Sequence, residues 1–314
     1  MDTLAGMLEG PRARGAFLMR VTMRPPFSVR VEDHAPLAVC AVVAGESRVR
    51  YDEGGPEPVR LTAGDLAIMR GPDPYTVADA PDTPPQVRIL PGQECCTLTG
   101  EPLKEAMSLG VRSWGNAEDG GTTMLIGAYE NPSELGRRLL GALPPLIVLR
   151  AGDWDSPLVP LLMAEITRDE PGQSAVLDRL LDLVLISALR QWFARPGGQA
   201  PGWYEAQSDP VVGRALRLLH NNPSQPWTVA SLATATGVSR AALARRFTDL
   251  VGEPPMAYLT GWRLDLAADL LREPDATVGA VARKVGYGTG FALSTAFKRV
   301  RGVSPQEHRA AAAA

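Results

Sequence analysis

The chain has 314 residues, 45% hydrophobic and 21% charged, a balance that excludes a disordered polymer and a length that accommodates about two domains. Its net charge of −3 conceals two opposed parts: residues 1–207 carry 19 basic against 27 acidic side chains, whereas 208–314 carry 13 against 8. A basic C-terminal third on an acidic remainder points to a polyanionic partner for the third alone.

Met1 to Gly10 contains Asp2 and Glu9 and lacks a basic start followed by an apolar run, so no secretory signal is read there and a cytoplasmic location is expected. From Gly15 onward, apolar stretches of four to eight residues alternate with Gly, Pro and Asp. Strands are predicted at Gly15 to Met23, Phe27 to Val31, Leu37 to Ala44, Ser47 to Tyr51, Val59 to Leu61, Asp65 to Met69, Tyr75 to Val77, Val87 to Leu90 and Thr122 to Tyr129. Turns such as Glu53-Gly54-Gly55-Pro56 separate them. This spacing describes an antiparallel barrel or a sandwich.

The apolar period then lengthens to that of a helix, at Pro132 to Leu143, Ser156 to Asp169 and Ser174 to Ala194. The last carries Val176, Leu177, Leu180, Leu181, Val184, Leu185, Ala188, Leu189 and Trp192 on one broad face. That face either packs on its own domain or dimerises. Asp178, Arg179, Asp182 and Arg190 within the same stretch exclude a membrane span. Residues 196–207, rich in Gly and Pro, read as a linker between a domain of 1–195 and one of 208–310.

In the C-terminal domain Ser208 or Asp209 caps a helix to Leu219, and Thr228 caps another from Val229 to Thr234. Gly237 turns the chain and Ser239 opens a helix from Arg240 to Leu250, with Leu243, Phe247 and Leu250 facing inward and Arg240, Ala241, Ala244 and Arg245 outward. A short second helix with Arg on its exposed N-terminal half is what insertion into a major groove requires. The pattern repeats: Thr277 caps Val278 to Lys284, Gly286 turns, and Thr289 caps Gly290 to Arg301, the turn glycines lying 49 residues apart. Between the copies a helix of about 18 residues, roughly 27 Å long, runs to Leu271. A strut of that length spaces two reading helices near one duplex turn, roughly 34 Å.

The string WTVASLATATGVSRAALARRFTDLVGEPPMAYLTGWRLDLAADLLREPDATVGAVARKVGY, followed by AFKRVRGVSPQEHR, resembles the DNA-binding domain of the AraC/XylS transcription regulators. Gly252, Pro255, Tyr258, Trp262, Arg263, Gly286, Phe297, Gly302 and Pro305 stand where that family's signature has them. The resemblance implies a sequence-specific regulator that binds double-stranded DNA as a homodimer through its N-terminal domain, with RNA polymerase as a further candidate partner. By position, the first reading helix offers Ser239, Arg240, Ala241, Ala244 and Arg245; the second offers Thr289, Gly290, Phe291, Ser294 and Thr295, with Lys298 and Arg299 on backbone phosphate. The second departs from the family where Gly290 replaces Glu, Leu293 replaces Phe and Thr295 replaces Arg, so the first helix is expected to supply most base discrimination. The alternative is a helical domain that docks a protein and not DNA.

VRLTAGDLAIMRGPDPYTV similarly resembles the cupin domain of AraC-type sensors, giving an α+β two-domain chain with a cupin-like antiparallel β-barrel and a pair of helix-turn-helix units. The histidines a cupin metal site needs are missing, since His220 and His308 lie in the C-terminal domain and His34 alone precedes them. No cofactor, resident metal or catalytic residue is therefore expected, and the chain is read as a non-enzyme. Cys95 and Cys96, with Cys40, are either buried small hydrophobes, oxidant-sensing thiols or thiolate ligands, and a small-molecule or redox effector is left open.

Overall fold

The computed structural model describes residues 17–52, 55–129, 134–154, 156–195 and 200–313. Gly15 and Ala16 of the first expected strand, Glu53 and Gly54 of the turn, Pro132 and Ser133 of the first expected helix, and 196–199 of the linker lie outside them. The described residues divide into a β-rich unit within 12–131 and 143–198 and a helical unit within 132–142 and 199–314. The strands are β1 Phe17–Met23, β2 Ser28–Val31, β3 Leu37–Ala44, β4 Glu46–Tyr51, β5 Val59–Thr62, β6 Leu66–Arg70, β7 Tyr75–Ala78, β8 Val87–Leu90, β9 Glu94–Thr97, β10 Ser108–Gly110, β11 Ser113–Gly115, β12 Thr122–Tyr129 and β13 Leu146–Leu149. The helices are α1 Glu134–Gly141, α2 Leu158–Ile166, α3 Gln173–Phe193, α4 Gly202–Glu205, α5 Val212–Asn221, α6 Val229–Thr236, α7 Arg240–Val251, α8 Pro255–Leu271, α9 Val278–Val285, α10 Gly290–Arg301 and α11 Pro305–Ala313.

The β-rich unit holds two sheets, ordered β10-β11-β1-β12-β3-β6-β13 and β5-β4-β7-β2-β8-β9. The expected barrel is thus not closed: no strand is shared between the sheets, and the edges β10, β13, β5 and β9 are only three or four residues long. Pairing is antiparallel except that β1 runs parallel to β11 and β2 to β8. Met23, Cys40, Met69 and Met124 from the larger sheet meet Phe27, Val49 and Leu61 in one buried core. Strand β3 is buried on both faces, because Val39 and Ala41 turn away from that core toward Leu162 of α2 and Leu181 and Val184 of α3. Its near-continuous apolar run follows from this double burial. Gly127 of β12 makes room for the same contact, since a Cβ there would stand 2.7 Å from a Leu181 methyl, which would have to shift.

Helix α3 therefore packs its broad face on its own unit, with Leu177, Leu181, Val184, Leu185, Ala188, Leu189 and Phe193 buried. Val176, which the apolar pattern places on that face, is 45% exposed. Asp65 of the cupin-like turn is a structural clasp: its buried carboxylate accepts from the amides of Thr62 and Ala151, each at 2.9 Å, and from Arg150 at 2.8 Å.

In the helical unit α8 is the shared strut. Tyr258, Leu259 and Trp262 are buried in its first half, while Leu264, Ala267, Ala268 and Leu271 join Val281, Val285, Leu293 and Phe297 in a core around α9 and α10. Two segments depart from the sequence expectation. Residues 202–207, read as linker, form with Ser208 α4 and a 3-10 turn with Trp203 and Ala206 buried, and Gly202 lies so close to the Leu250 carbonyl that a Cβ would approach it to 2.4 Å. Helix α1, read as part of the N-terminal domain, clusters with the helical unit, where Arg138 reaches Glu253 at 2.6 Å and sits 4.5 Å over the Tyr258 ring.

Candidate nucleic-acid interface

Each half of the helical unit builds the same cap-turn-cap device. Thr228 caps α6 by accepting from the Ser231 amide at 3.0 Å, and the Ser231 hydroxyl oxygen in turn accepts from the Thr228 amide at 2.9 Å. Gly237 ends α6 at φ +76°, and the Val238 amide donates back to the Ala233 carbonyl at 3.1 Å. Ser239 then caps α7 through the Ala242 amide at 3.2 Å. The second copy repeats this: Thr277 caps α9, Gly286 stands at φ +87°, the Tyr287 amide donates to the Ala282 carbonyl at 2.8 Å, and Thr289 caps α10 through the Ala292 amide at 3.1 Å. Both bends are the left-handed helix terminus that glycine favours. Gly288 makes the second turn one residue longer, so that Arg240, Leu243, Arg245 and Phe247 correspond to Gly290, Leu293, Thr295 and Phe297.

Leu243, Phe247, Leu293 and Phe297 are fully buried, which fixes the opposite faces of α7 and α10 toward solvent. On α7 that face carries Arg240, Ala241 and Arg245, all exposed, with Ala244 half-buried beside them. Neither arginine makes an ion pair among the described residues. Arg246 differs: both its Nε and Nη2 bond one Asp209 oxygen, at 2.8 and 2.6 Å. Burial works to raise the Asp209 carboxyl, but the Val212 amide, the Arg246 guanidinium and the Val211 amide outweigh it and hold it below the usual carboxylate range. Leu250, expected inward, is 37% exposed in the last turn of α7.

On α10 the exposed face carries Phe291, Thr295, Lys298 and Arg299, with Ser294 half-buried at its side. The hydroxyls of Ser294 and Thr295 donate to the carbonyls of Gly290 and Phe291, and Ser239 and Thr289 are committed as caps. Arg301 is held by Asp265 at 2.6 Å. On the two reading helices the cations left for a polyanion thus sit on the N-terminal half of α7 and the C-terminal half of α10. Arg214 and Arg217 on α5 add exposed guanidiniums that the motif comparison passes over; their spacing opposite Ala215, Leu216 and Leu219 was the available signal.

The β-rich unit encloses an apolar cavity of about 140 Å³ between its sheets, walled by Met19, Phe27, Met69, Trp114 and Met124 among others. Asp33 and Lys104 are its charged lining residues, and Gln93 donates to Asp33 at 2.8 Å. Cys95 also lines it, whereas Cys40 and Cys96 do not. All three thiols are buried and unbridged. Burial pushes Cys40 up to about 12 and raises Cys95 in spite of a bond from Trp114, so neither is poised as a thiolate. His34 is exposed, its Nδ1 facing the Pro72 carbonyl at 3.5 Å, and the described residues contain no cluster of His, Cys, Asp and Glu that could hold a metal. No helix among them is long and apolar enough to cross a membrane.

A β-rich domain followed by two helix-turn-helix units on one strut defines a two-domain type of DNA-binding protein. Family comparison agrees in both parts: a cupin family matches residues 2–194 and a helix-turn-helix domain family matches 232–311. Chains described as AraC-like transcription regulators from Streptomyces lividans and Streptomyces antibioticus are 31% and 33% identical, each over 98% of this chain and 98% of the relative. A solved structure, the DNA-binding domain of the global transcriptional factor AdpA with a target DNA, is 35% identical over 33% of this chain and 93% of that one, with a TM-score of 0.31. The chain belongs to the AraC-like transcription regulators, and it is a DNA-binding regulator with an N-terminal cupin-like domain.

Proposed function

We propose that the chain is an effector-responsive regulator that reads double-stranded DNA with α7 and α10 and takes a small apolar effector between its two sheets. The observation that carries the reading is the repeated cap-turn-cap geometry, which holds Arg240 and Arg245 on an exposed helix face with no ion-pair partner among the described residues. Guanidinium forks so placed suit guanine edges or phosphates. Lys298 and Arg299 then serve the backbone, and binding weakens as salt rises because phosphate contacts release counterions. The cavity is of a size that holds a benzene-sized molecule. The chain is further proposed to act in the cytoplasm, without enzymatic activity, and as a homodimer through its N-terminal unit, where Leu161 of α2 and Val176 and Leu183 of α3 leave aliphatic surface exposed.

The test is selection of duplexes from a random pool by the full chain near physiological salt. Enrichment of a defined site, with affinity that falls steeply as salt is raised and with enrichment lost in the Arg240→Ala/Arg245→Ala double variant, supports the reading. Indifference to salt with every duplex turns the helical unit into a protein-docking module.

A further inference from the structure

We propose that Phe291 is the base-reading residue of the second helix-turn-helix unit and that it recognises a thymine through its C5-methyl group. The inference rests on the DNA-binding reading and deepens it. Phe291 is 83% exposed, whereas Phe27, Phe247 and Phe297 are fully buried and Phe193 is 6% exposed. It occupies the second position of α10, two residues after the Thr289 cap, on the turn that a reading helix presents to base edges. By the internal repeat it corresponds to Ala241, which stands between Arg240 and Arg245 on the reading face of α7.

The surroundings of Phe291 decide what it can read. Side-chain donors are missing beside it: Gly290 has no side chain, Ala292 has a methyl, and the Thr295 hydroxyl already donates to the Phe291 carbonyl at 3.0 Å. The tip of α10 is therefore apolar, and what the major groove offers to an apolar tip is the thymine methyl. Further along the same face Lys298 and Arg299 are exposed and free of ion pairs among the described residues, so the helix joins an apolar tip to a cationic shank. That combination is complementary to a groove floor bearing a methyl between walls of phosphate, and less so to a protein surface. The first unit reads by hydrogen bonds from guanidinium, the second by excluding water from a methyl.

The experiment uses the full chain and duplexes that it selects from a random pool. Each thymine of the selected site is replaced in turn by deoxyuridine, which removes the C5-methyl and nothing else, and affinity is measured for the wild type, Phe291→Ala and Arg245→Ala. The expected result is one or two positions at which the replacement weakens wild-type binding about fourfold, the equivalent of about 0.8 kcal/mol for one methyl group. Phe291→Ala should bind more weakly than wild type and be indifferent to the replacement, while Arg245→Ala, though weaker overall, keeps it. Because the ring is exposed, thermal unfolding of Phe291→Ala should match wild type. Discrimination retained in Phe291→Ala, or absent from the wild type at every thymine, overturns the inference and leaves DNA binding standing. Unchanged affinity and site preference in Phe291→Ala also overturns it and turns the ring toward a protein partner. Selection of no duplex by the wild type removes the DNA-binding reading and the inference together.

Discussion

Arg245 and Arg246 are adjacent and both exposed on α7, and an ion pair separates their tasks. Arg246 is tied to Asp209, which also caps α5 through the amides of Val211 and Val212, so its replacement acts on folding. Arg245 points to solvent without an ion pair among the described residues. Arg245→Ala is expected to weaken binding to a selected duplex by about 1–3 kcal/mol, the worth of a good base contact, and to leave affinity for random duplex and the melting temperature nearly unchanged. An equal loss on selected and random DNA would make it a phosphate contact. His220 gives a residue-level prediction about stability. Its Nε2 lies 2.8 Å from the Tyr258 hydroxyl and its ring 4.0 Å from that of Trp262, so burial, with the Arg138 charge second, lowers its pKa to about 3. The unfolded chain binds this proton near pH 6.5. The folded state is therefore fully favoured above about pH 6.5 and loses stability as pH falls toward 3, where the folded form would take up the proton. Between pH 7 and 5, above the range of ordinary carboxylates, His220→Gln should flatten the decline in melting temperature. An identical decline in both proteins would assign it elsewhere.

The two turn glycines share a backbone conformation but not an environment. At Gly237, φ is +76° and a Cβ would meet nothing within 4 Å. At Gly286, φ is +87° and a Cβ would meet the Pro223 carbonyl at 2.8 Å and Ser224 Cα at 2.9 Å, in the loop that Arg263 fastens by bonds of 2.7 Å to the carbonyls of Pro223 and Gln225. Gly237→Ala should cost about 1–2 kcal/mol for the left-handed backbone alone. Gly286→Ala should cost clearly more, because backbone atoms must also shift, and chemical denaturation of the two variants compares them directly. These turns were legible in the sequence, as were the caps Thr228, Ser239, Thr277 and Thr289, because local hydrogen bonding and φ preference act within a few residues. Strand β13 was not. Leu146–Leu149 follows Pro144 and Pro145 between two helical patterns, and only its pairing with β6 makes it a strand. Cys95 and Cys96 fall outside every strand predicted from the pattern, for the same reason, and lie in β9 by its pairing with β8. Likewise Trp203 sits in a stretch whose Gly and Pro content says linker, and its burial comes from distant partners. The inverted charge placement of α7 and α10 was visible residue by residue, but which arginines are free emerged only with the partners Asp209 and Asp265 in place.

A bound effector can alter DNA affinity only if it binds more tightly to one state of the chain than to another, and the coupling must then be reciprocal. The cavity between the sheets makes this testable without knowing the natural compound. A panel of benzene- to indole-sized molecules should contain some that raise the melting temperature of the full chain, since any ligand that binds the folded state alone stabilises it, by about 2.7 kcal/mol at a hundred times its Kd. Ala38, 3% exposed on β3, lines that cavity. Ala38→Leu should fill part of the space, abolish the rise and leave binding of the selected duplex intact, because the reading faces of α7 and α10 are untouched. For a compound that changes wild-type affinity for the duplex by some factor, saturating duplex must change affinity for the compound by the same factor. Calorimetry of the compound with and without the duplex measures that second factor. Equal factors would identify the cavity as the regulatory site, whereas stabilisation with no effect on DNA affinity in either direction would leave it a binding site that does not regulate. Stabilisation that persists in Ala38→Leu would move the ligand out of the cavity altogether.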